Sequence, residues 1–118
     1  MAIAEAHLER AQRNFLAEIY EDTARNAYLA ALNGSRAVIL HVTGQVVKTH
    51  AGARSKLFHL IHEGLPFPKE SADFLTSGFE VKQDVDYGPN IVFVSRDEAE
   101  RDLGRARDFI AAARKVCT

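Results

Sequence analysis

The sequence is poor in cysteine and contains no long apolar run, and each absence excludes a class of protein. Its only cysteine, Cys117, cannot form a disulfide within the chain, which argues against a disulfide-stabilised secreted domain. No apolar run approaches the roughly 20 residues that a membrane-spanning helix needs. Residues 1–10 are charged and amphipathic, unlike a signal peptide. We therefore expect one domain in the reducing cytoplasm, with no membrane partner.

Common cofactor and metal motifs are also missing. Lys48 and Thr49 lack the preceding glycines of a phosphate-binding Walker A loop, and no Gly-x-Gly-x-x-Gly pattern occurs. His59 and His62 lie three residues apart beside Glu63, which is a chelating spacing, but histidines on a helix flank are more often surface or core-edge residues. The sequence predicts no cofactor and no metal site.

Acidic residues are absent between Asp22 and Glu63, although the net charge of the whole chain is only −1. This acid-free window contains basic and titratable side chains: Arg25, Arg36, His41, Lys48, His50, Arg54, Lys56, His59 and His62. One interpretation is ordinary solvated helix faces. The other is a positive surface for phosphate or an acidic partner, with Lys48, Arg54 and Lys56 as its basic rim.

Apolar residues recur at helical spacing through most of the chain. The pattern predicts a helix over 4–20, a second from an N-cap at Asp22 or Thr23 to about residue 43, and a short third one after Thr49. A fourth follows Pro68, and a fifth follows the capping box formed by Ser95 and Glu98. Residues 91–94 have the composition of a strand but no partner strand, so we interpret them as an apolar plug. The predicted fold is an all-α, antiparallel up-and-down bundle of four long helices plus one short helix.

The end of the fourth predicted helix contains the densest set of reactive side chains. Lys82 and Asp86 are four residues apart, so they share one helix face, and Tyr87 follows directly. Gly88 and Pro89 then end the helix. A base, an acid and a phenol therefore lie together, either as a site or as a structural lock between neighbouring side chains.

Three short stretches resemble the HEPN domain family. They are residues 24–28 (Ala-Arg-Asn-Ala-Tyr), residues 48–52 (Lys-Thr-His-Ala-Gly) with Phe58, and Asp86-Tyr87 before a final alanine-rich helix. The likeness extends from about residue 6 to 116 and is to small prokaryotic HEPN proteins often encoded beside minimal nucleotidyltransferases. It implies a homodimer that handles RNA or nucleotides, and in some such pairs the nucleotidyltransferase adenylylates a HEPN tyrosine.

Many HEPN proteins are metal-independent ribonucleases that use an Arg-x(4–6)-His motif near the end of the fourth long helix. The resemblance places the arginine position on Lys82, an aspartate on Asp86 and the histidine-like position near Tyr87. Lysine lacks the planar fork of arginine. Tyrosine, with an ordinary pKa of about 10, is a poor general base. These departures from the motif weaken the case for catalysis.

Two further residues have both a structural and a functional interpretation. His50, at a predicted helix start, is placed either to contact phosphate beside free backbone N–H groups or to fasten its helix to the bundle. Arg25 is placed to reach Asp86 in an ion pair between helices. With Lys48, Arg54 and Lys56, these residues are the predicted nucleotide- or RNA-binding set.

Three functions remain open from the sequence. The first is a regulatory module, half of a toxin–antitoxin-like pair with a nucleotidyltransferase that modifies Tyr87. The second is a ribonuclease in which Lys82, Asp86 and Tyr87 replace the usual motif. The third is a helical dimerisation scaffold that binds no small ligand.

Overall fold

Five α-helices make up the computed structural model, which describes residues 1–88 and 93–118. They are α1 (Ala2–Leu16), α2 (Tyr20–Thr43), α3 (His50–His62), α4 (Lys69–Tyr87) and α5 (Arg96–Val116). The described residues contain no strand, so the all-α prediction is confirmed. The shortest helix is α3, with 13 residues. Within the described ranges, no helix is both long enough and apolar enough to cross a membrane.

Three of the predicted helix boundaries are confirmed by their local hydrogen bonds or dihedral angles. The Thr49 hydroxyl accepts a hydrogen bond from the Gly52 backbone N–H and so caps the start of α3. Gly44 ends α2 with a left-handed φ of 73°. The Ser95 hydroxyl accepts from the Glu98 backbone N–H at 3.1 Å, which is one half of the predicted capping box.

The predicted boundary between the first two helices is wrong. The first helix ends at Leu16 instead of continuing to residue 20, because Glu18 adopts a left-handed φ of 62° that no α-helix continues through. Neither Asp22 nor Thr23 is the N-cap of α2; the Thr23 hydroxyl instead donates to the Ile19 carbonyl inside the first turn. The apolar spacing runs across the break, so periodicity alone could not locate it.

Helix α2 lies at the centre of the molecule and packs against all four other helices. Its small side chains permit this, since the alanines predicted on one face are fully buried. At Gly34 the approach is so close that an added Cβ would lie 3.2 Å from a side-chain carbon of Ile110. The predicted seam of α5 is buried from Ala99 to Ala113, whereas Val42, expected on the buried face of α2, is exposed.

The segment before α5 meets the sequence prediction only in part. Ile91 and Val92 lie outside the described residues. Val94 is buried and packs with Ala24 and Ala99, as an apolar plug should. Phe93 is exposed to solvent, so the plug prediction is wrong for that residue.

Candidate functional site

Lys82 and Asp86 form an ion pair on the last turns of α4, as their spacing predicted. The Nζ atom of Lys82 lies 2.7 Å from Oδ2 of Asp86, and the two side chains are only 12% and 19% exposed. Asp86 counts as exposed when its backbone is included, but its carboxylate side chain is not. The two charges therefore face each other in a largely enclosed position.

Arg25 joins this pair from α2. Its Nε atom lies 3.2 Å from Oδ1 of Asp86, so the predicted ion pair between helices is confirmed. The same guanidinium also pairs with Asp22 one turn earlier on α2. The buried Nε–H has no hydrogen-bond acceptor of good geometry in the described part of the chain, so its attraction to Asp86 is a charge interaction. Asp86 thus links two helices through one cation from each.

Tyr87 differs from its neighbours because it is 73% exposed. Lys82 Nζ lies 5.5 Å from the centre of its ring, within the range of a cation–π contact. The phenol therefore stands at the surface beside a positive charge. Of the three residues predicted as one site, Lys82 and Asp86 hold each other, and only Tyr87 is open to a large partner.

The helix ends where the sequence predicted, but with a different geometry. Gly88 caps α4 and its backbone N–H donates to the Asp84 carbonyl. Its φ of −65° and ψ of 148° are extended, not left-handed. Glycine is needed there for another reason, since an added Cβ would lie 2.5 Å from the Asp84 carbonyl oxygen. Pro89 lies outside the described residues.

A second polar contact joins α2 and α3 on the same side of α4. The Tyr28 hydroxyl lies 2.9 Å from Nδ1 of His50, and the two rings are stacked with centroids 5.7 Å apart. Tyr28 is almost fully buried, and His50 is the first residue of α3, directly after the Thr49 cap. This contact fits the interpretation in which His50 fastens its helix to the bundle.

Phe79 connects this contact to the ion pair on α4. Its ring centroid lies 5.4 Å from that of His50 and 5.9 Å from that of Tyr28. Phe79 and Lys82 are three residues apart and so lie on neighbouring positions of one helix face. The stacked rings and the ion pair are therefore neighbouring contacts, made by residues of α2, α3 and α4.

The electrostatics keep both polar groups of the stacked pair uncharged near neutral pH. Burial lowers the pKa of His50, and the charges of Lys82 and Arg36 lower it further. Burial raises the pKa of Tyr28 to about 12, with a smaller opposing effect from Arg54 and Arg36. The imidazole is thus neutral and the phenol keeps its proton.

The predicted binding residues do not form one continuous rim. The charge of Arg54 lowers the pKa of Tyr28. Lys48 and Lys56 instead line a concave surface of about 530 Å³ beside α3. His59, on that surface, pairs with Glu63 at 2.9 Å. Among the described residues, no three histidine, cysteine, aspartate or glutamate side chains are grouped to hold a metal.

Sequence reasoning overlooked the contributions of Tyr28 and Arg36. Tyr28 sits on the apolar face of α2, so its spacing indicated core packing and concealed the role of its hydroxyl. Arg36 donates from Nη2 to the Lys48 carbonyl at 2.8 Å and so holds the connector that leads into α3. Its place in the acid-free window was the only signal available from the sequence.

Comparison with protein families matches the chain to a known domain family. The family described as HEPN domain matches residues 1–116, nearly the whole chain of 118 residues. A search of curated proteins found none that matches.

Proposed function

This chain belongs to the HEPN domain family, whose members are nucleotide- or RNA-associated modules, and we propose that it is a regulatory module modified at Tyr87. The observation that carries the proposal is a contrast in exposure among three residues at the end of one helix. Tyr87 is 73% exposed, whereas Lys82 and Asp86 neutralise each other at 2.7 Å. An exposed phenol is accessible to a modifying enzyme, and an enclosed ion pair suits a structural role.

The proposal includes the partners implied by the resemblance. The protein is a homodimer whose helices form the up-and-down antiparallel bundle of the family, and it is half of a toxin–antitoxin-like pair with a minimal nucleotidyltransferase. In the modification, the phenolic oxygen of Tyr87 attacks the α-phosphorus of ATP, pyrophosphate leaves, and the phenolic proton passes to the partner enzyme or to solvent. The product is an O-adenylylated tyrosine.

Lys82 supports this reaction without taking part in bond making. Its ammonium group lies 5.5 Å from the centre of the Tyr87 ring. Because Asp86 already pairs with that ammonium group at 2.7 Å, the contribution of Lys82 is its contact with the ring and not a free positive charge. The other two tyrosines are poorer acceptors, since Tyr28 is buried and Tyr20 is half-buried and packs on Phe15.

The test is intact-mass measurement after incubation with ATP and the proposed partner nucleotidyltransferase. We expect the mass to increase by one or more adenylyl groups, and we expect Tyr87→Phe to abolish the increase. The matched control, Tyr20→Phe, removes a hydroxyl from a half-buried ring and should be modified like the parent protein. An unchanged mass together with no co-elution of the two proteins would contradict the proposal.

We also propose that RNA or a nucleotide binds the basic residues predicted from the sequence. Of that set, Lys48 and Lys56 line one concave surface, Arg54 lies on the same helix as Lys56, and Arg25 is already engaged by two carboxylates. Replacing Arg54 and Lys56 together by glutamate should weaken binding of a short RNA and reduce its salt dependence. A protein that is only a dimerisation scaffold would show no binding in either form.

The ribonuclease alternative has less support, because Lys82 is neutralised by Asp86 and Tyr87 is a weak base. It predicts growth arrest on expression and RNA cleavage in the presence of a chelator. Cleavage should then be lost in Lys82→Ala and in Tyr87→Phe. Equal cleavage by both variants and the parent would show that these residues are not its active site.

A further inference from the structure

An apolar cavity of about 380 Å³ lies where the first turn of α1 meets the C-terminal half of α2 and the connector to α3. Ten residues line it, and eight of them have apolar side chains. Three of the eight are large side chains exposed to solvent, namely Ile3, Leu40 and Val46. Small-molecule sites in proteins are clefts of about 300–1,000 Å³ with a mostly apolar lining and a few polar groups. This cavity has both the size and the lining of such a site.

The polar residues of the lining are Asn33 and Arg36, and only Arg36 is charged. The side-chain amide of Asn33 donates to the Leu29 carbonyl of its own helix. The guanidinium of Arg36 has five N–H donors, and its hydrogen bond within the described residues is the one from Nη2 to the Lys48 carbonyl. Its Nε–H is buried and has no acceptor there. Arg36 therefore brings a charge with unused donors to an apolar cavity.

Acidic side chains do not balance this charge. None of the described residues that line the cavity is acidic, and most of the lining comes from α2 and the connector, within the acid-free part of the sequence. Glu5, one residue beyond the lining part of α1, pairs with Arg114 of α5. The first turn of α1 has no side-chain cap, so its free backbone N–H groups add the partial positive charge of a helix N-terminus. Two sources of positive charge thus adjoin one apolar cavity.

We propose that this cavity binds an aliphatic carboxylate, with the alkyl chain against the apolar lining and the head group on Arg36. The planar guanidinium matches the two oxygens of a carboxylate. A protein partner fits less well, because the cavity has ten lining residues and a stable protein–protein interface uses about 20–30 residues on each side. The occupant is therefore a small amphipathic anion.

The site is separate from the end of the bundle that contains Tyr87. Arg36 lies eleven residues after Arg25 on α2, which is about 16 Å along the helix axis. Arg25 is the residue that pairs with Asp86, next to Tyr87. Binding in the cavity therefore concerns the opposite half of α2, and it can be measured without the modification of Tyr87. Either proposal can fail alone.

The expected affinities follow from the two parts of the ligand. Burial of each added methylene should tighten binding up to about fourfold, so the affinity should rise from butyrate to hexanoate to octanoate. A charge-assisted hydrogen bond to Arg36 should make octanoate bind about tenfold more tightly than octan-1-ol, which has the same chain and no charge. Octylamine, which is cationic at neutral pH, should bind more weakly than the alcohol.

The test is titration of the isotope-labelled full chain with each of these five compounds, followed by the amide signals in NMR. We expect octanoate to shift the signals of residues 1–4, 33–40 and 46–47, with the order of affinities given above. Equal affinity for octanoate, octan-1-ol and octylamine would overturn the role of Arg36. Shifts confined to residues outside the cavity would overturn the site itself.

Variants separate the head-group contact from the chain contact. Arg36→Met should remove the preference for octanoate over octan-1-ol, and Arg36→Lys, which keeps a charge, should retain part of it if the loss is not merely the lost bond to the Lys48 carbonyl. Val46→Ser changes an exposed connector residue and should weaken octanoate binding several-fold. The controls lie outside the cavity lining: Val42→Ser and Arg10→Met are also exposed and should bind like the parent.

Unchanged octanoate binding in both Arg36→Met and Val46→Ser would overturn the proposal. Size-exclusion chromatography of the same variants gives a second check. A change of oligomeric state in Val46→Ser, with no change in Val42→Ser, would assign the apolar surface to a second copy of the chain and would also overturn it.

Discussion

The ion pair between Lys82 and Asp86 offers the sharpest test of the structure, because α4 carries its own control. Lys69 and Asp73 lie on the same helix, in the same order and at the same spacing, but 3.9 Å apart with side chains 72% and 57% exposed. Lys82 and Asp86 are 2.7 Å apart and 12% and 19% exposed. The two pairs differ in enclosure and not in sequence pattern.

The expected energies follow from this difference in enclosure. Exposed pairs four residues apart on a helix contribute about 0.3–0.5 kcal/mol. Removing one partner of a buried pair costs about 3–5 kcal/mol. Because Lys82 and Asp86 keep some contact with solvent, we expect Asp86→Asn to lower the free energy of unfolding by about 2–3 kcal/mol, and we expect a coupling energy of about 2 kcal/mol.

The third charge in the network predicts an order among the variants. Asp86→Asn leaves Lys82 without an anion and takes one of two from Arg25. Lys82→Met leaves Asp86 still paired with Arg25 at 3.2 Å, so it should cost less. The methionine also keeps most of the apolar stem of the lysine.

The assay is urea denaturation followed by circular dichroism, with a double-mutant cycle for each pair. The first cycle combines Lys82→Met with Asp86→Asn, and the control cycle combines Lys69→Met with Asp73→Asn. We expect a coupling of about 2 kcal/mol in the first and about 0.5 kcal/mol or less in the second. Equal coupling in the two cycles would refute the enclosed ion pair and, with it, the structural role assigned to Lys82 and Asp86.

Three other predictions concern stability. Gly78→Ala should destabilise the protein by about 1–3 kcal/mol, because the added Cβ would lie 3.0 Å from a ring carbon of Tyr28. At Gly104 an added Cβ meets no atom within 4 Å, so Gly104→Ala should stabilise the protein by up to about 1 kcal/mol. Urea denaturation measures both variants, and an equal response would contradict the packing at Gly78. Ser95→Ala should cost about 1 kcal/mol in the same assay through loss of the α5 cap, and no change would argue against that cap. The pKa of His50 is lowered in the folded state. The neutral imidazole therefore contributes to folding stability above its ordinary pKa of 6.5, and this contribution is lost as the pH falls below that value. His50→Gln should flatten this part of the stability profile, and a profile identical to the parent would contradict it.

The helices and most of their ends were predictable because they depend on residues close together in sequence. Apolar spacing of three and four marked α2 and α5, and the caps at Thr49 and Ser95 are bonds to residues three positions away. The break near Glu18 was not predictable. A left-handed residue interrupts the backbone without interrupting the apolar pattern, so composition and periodicity carry no sign of it.

The sequence by itself determined that Lys82 and Asp86 meet, since residues four apart on a helix always share a face. It also placed Tyr87 beside them and indicated the HEPN family, which the match over residues 1–116 shows. These features follow from helix geometry and from short motifs. They require no knowledge of how the helices are oriented around one another.

Only the tertiary structure decided which of these side chains are enclosed and which are exposed to solvent. The rotation of α2 against α4 brings Arg25 to Asp86 and leaves the Tyr87 ring at the surface. The docking of α3 places His50 on the Tyr28 hydroxyl and turns an apparent core tyrosine into a polar contact. Such contacts depend on the packing and rotation of separate helices, and a sequence read along one helix at a time does not contain that information.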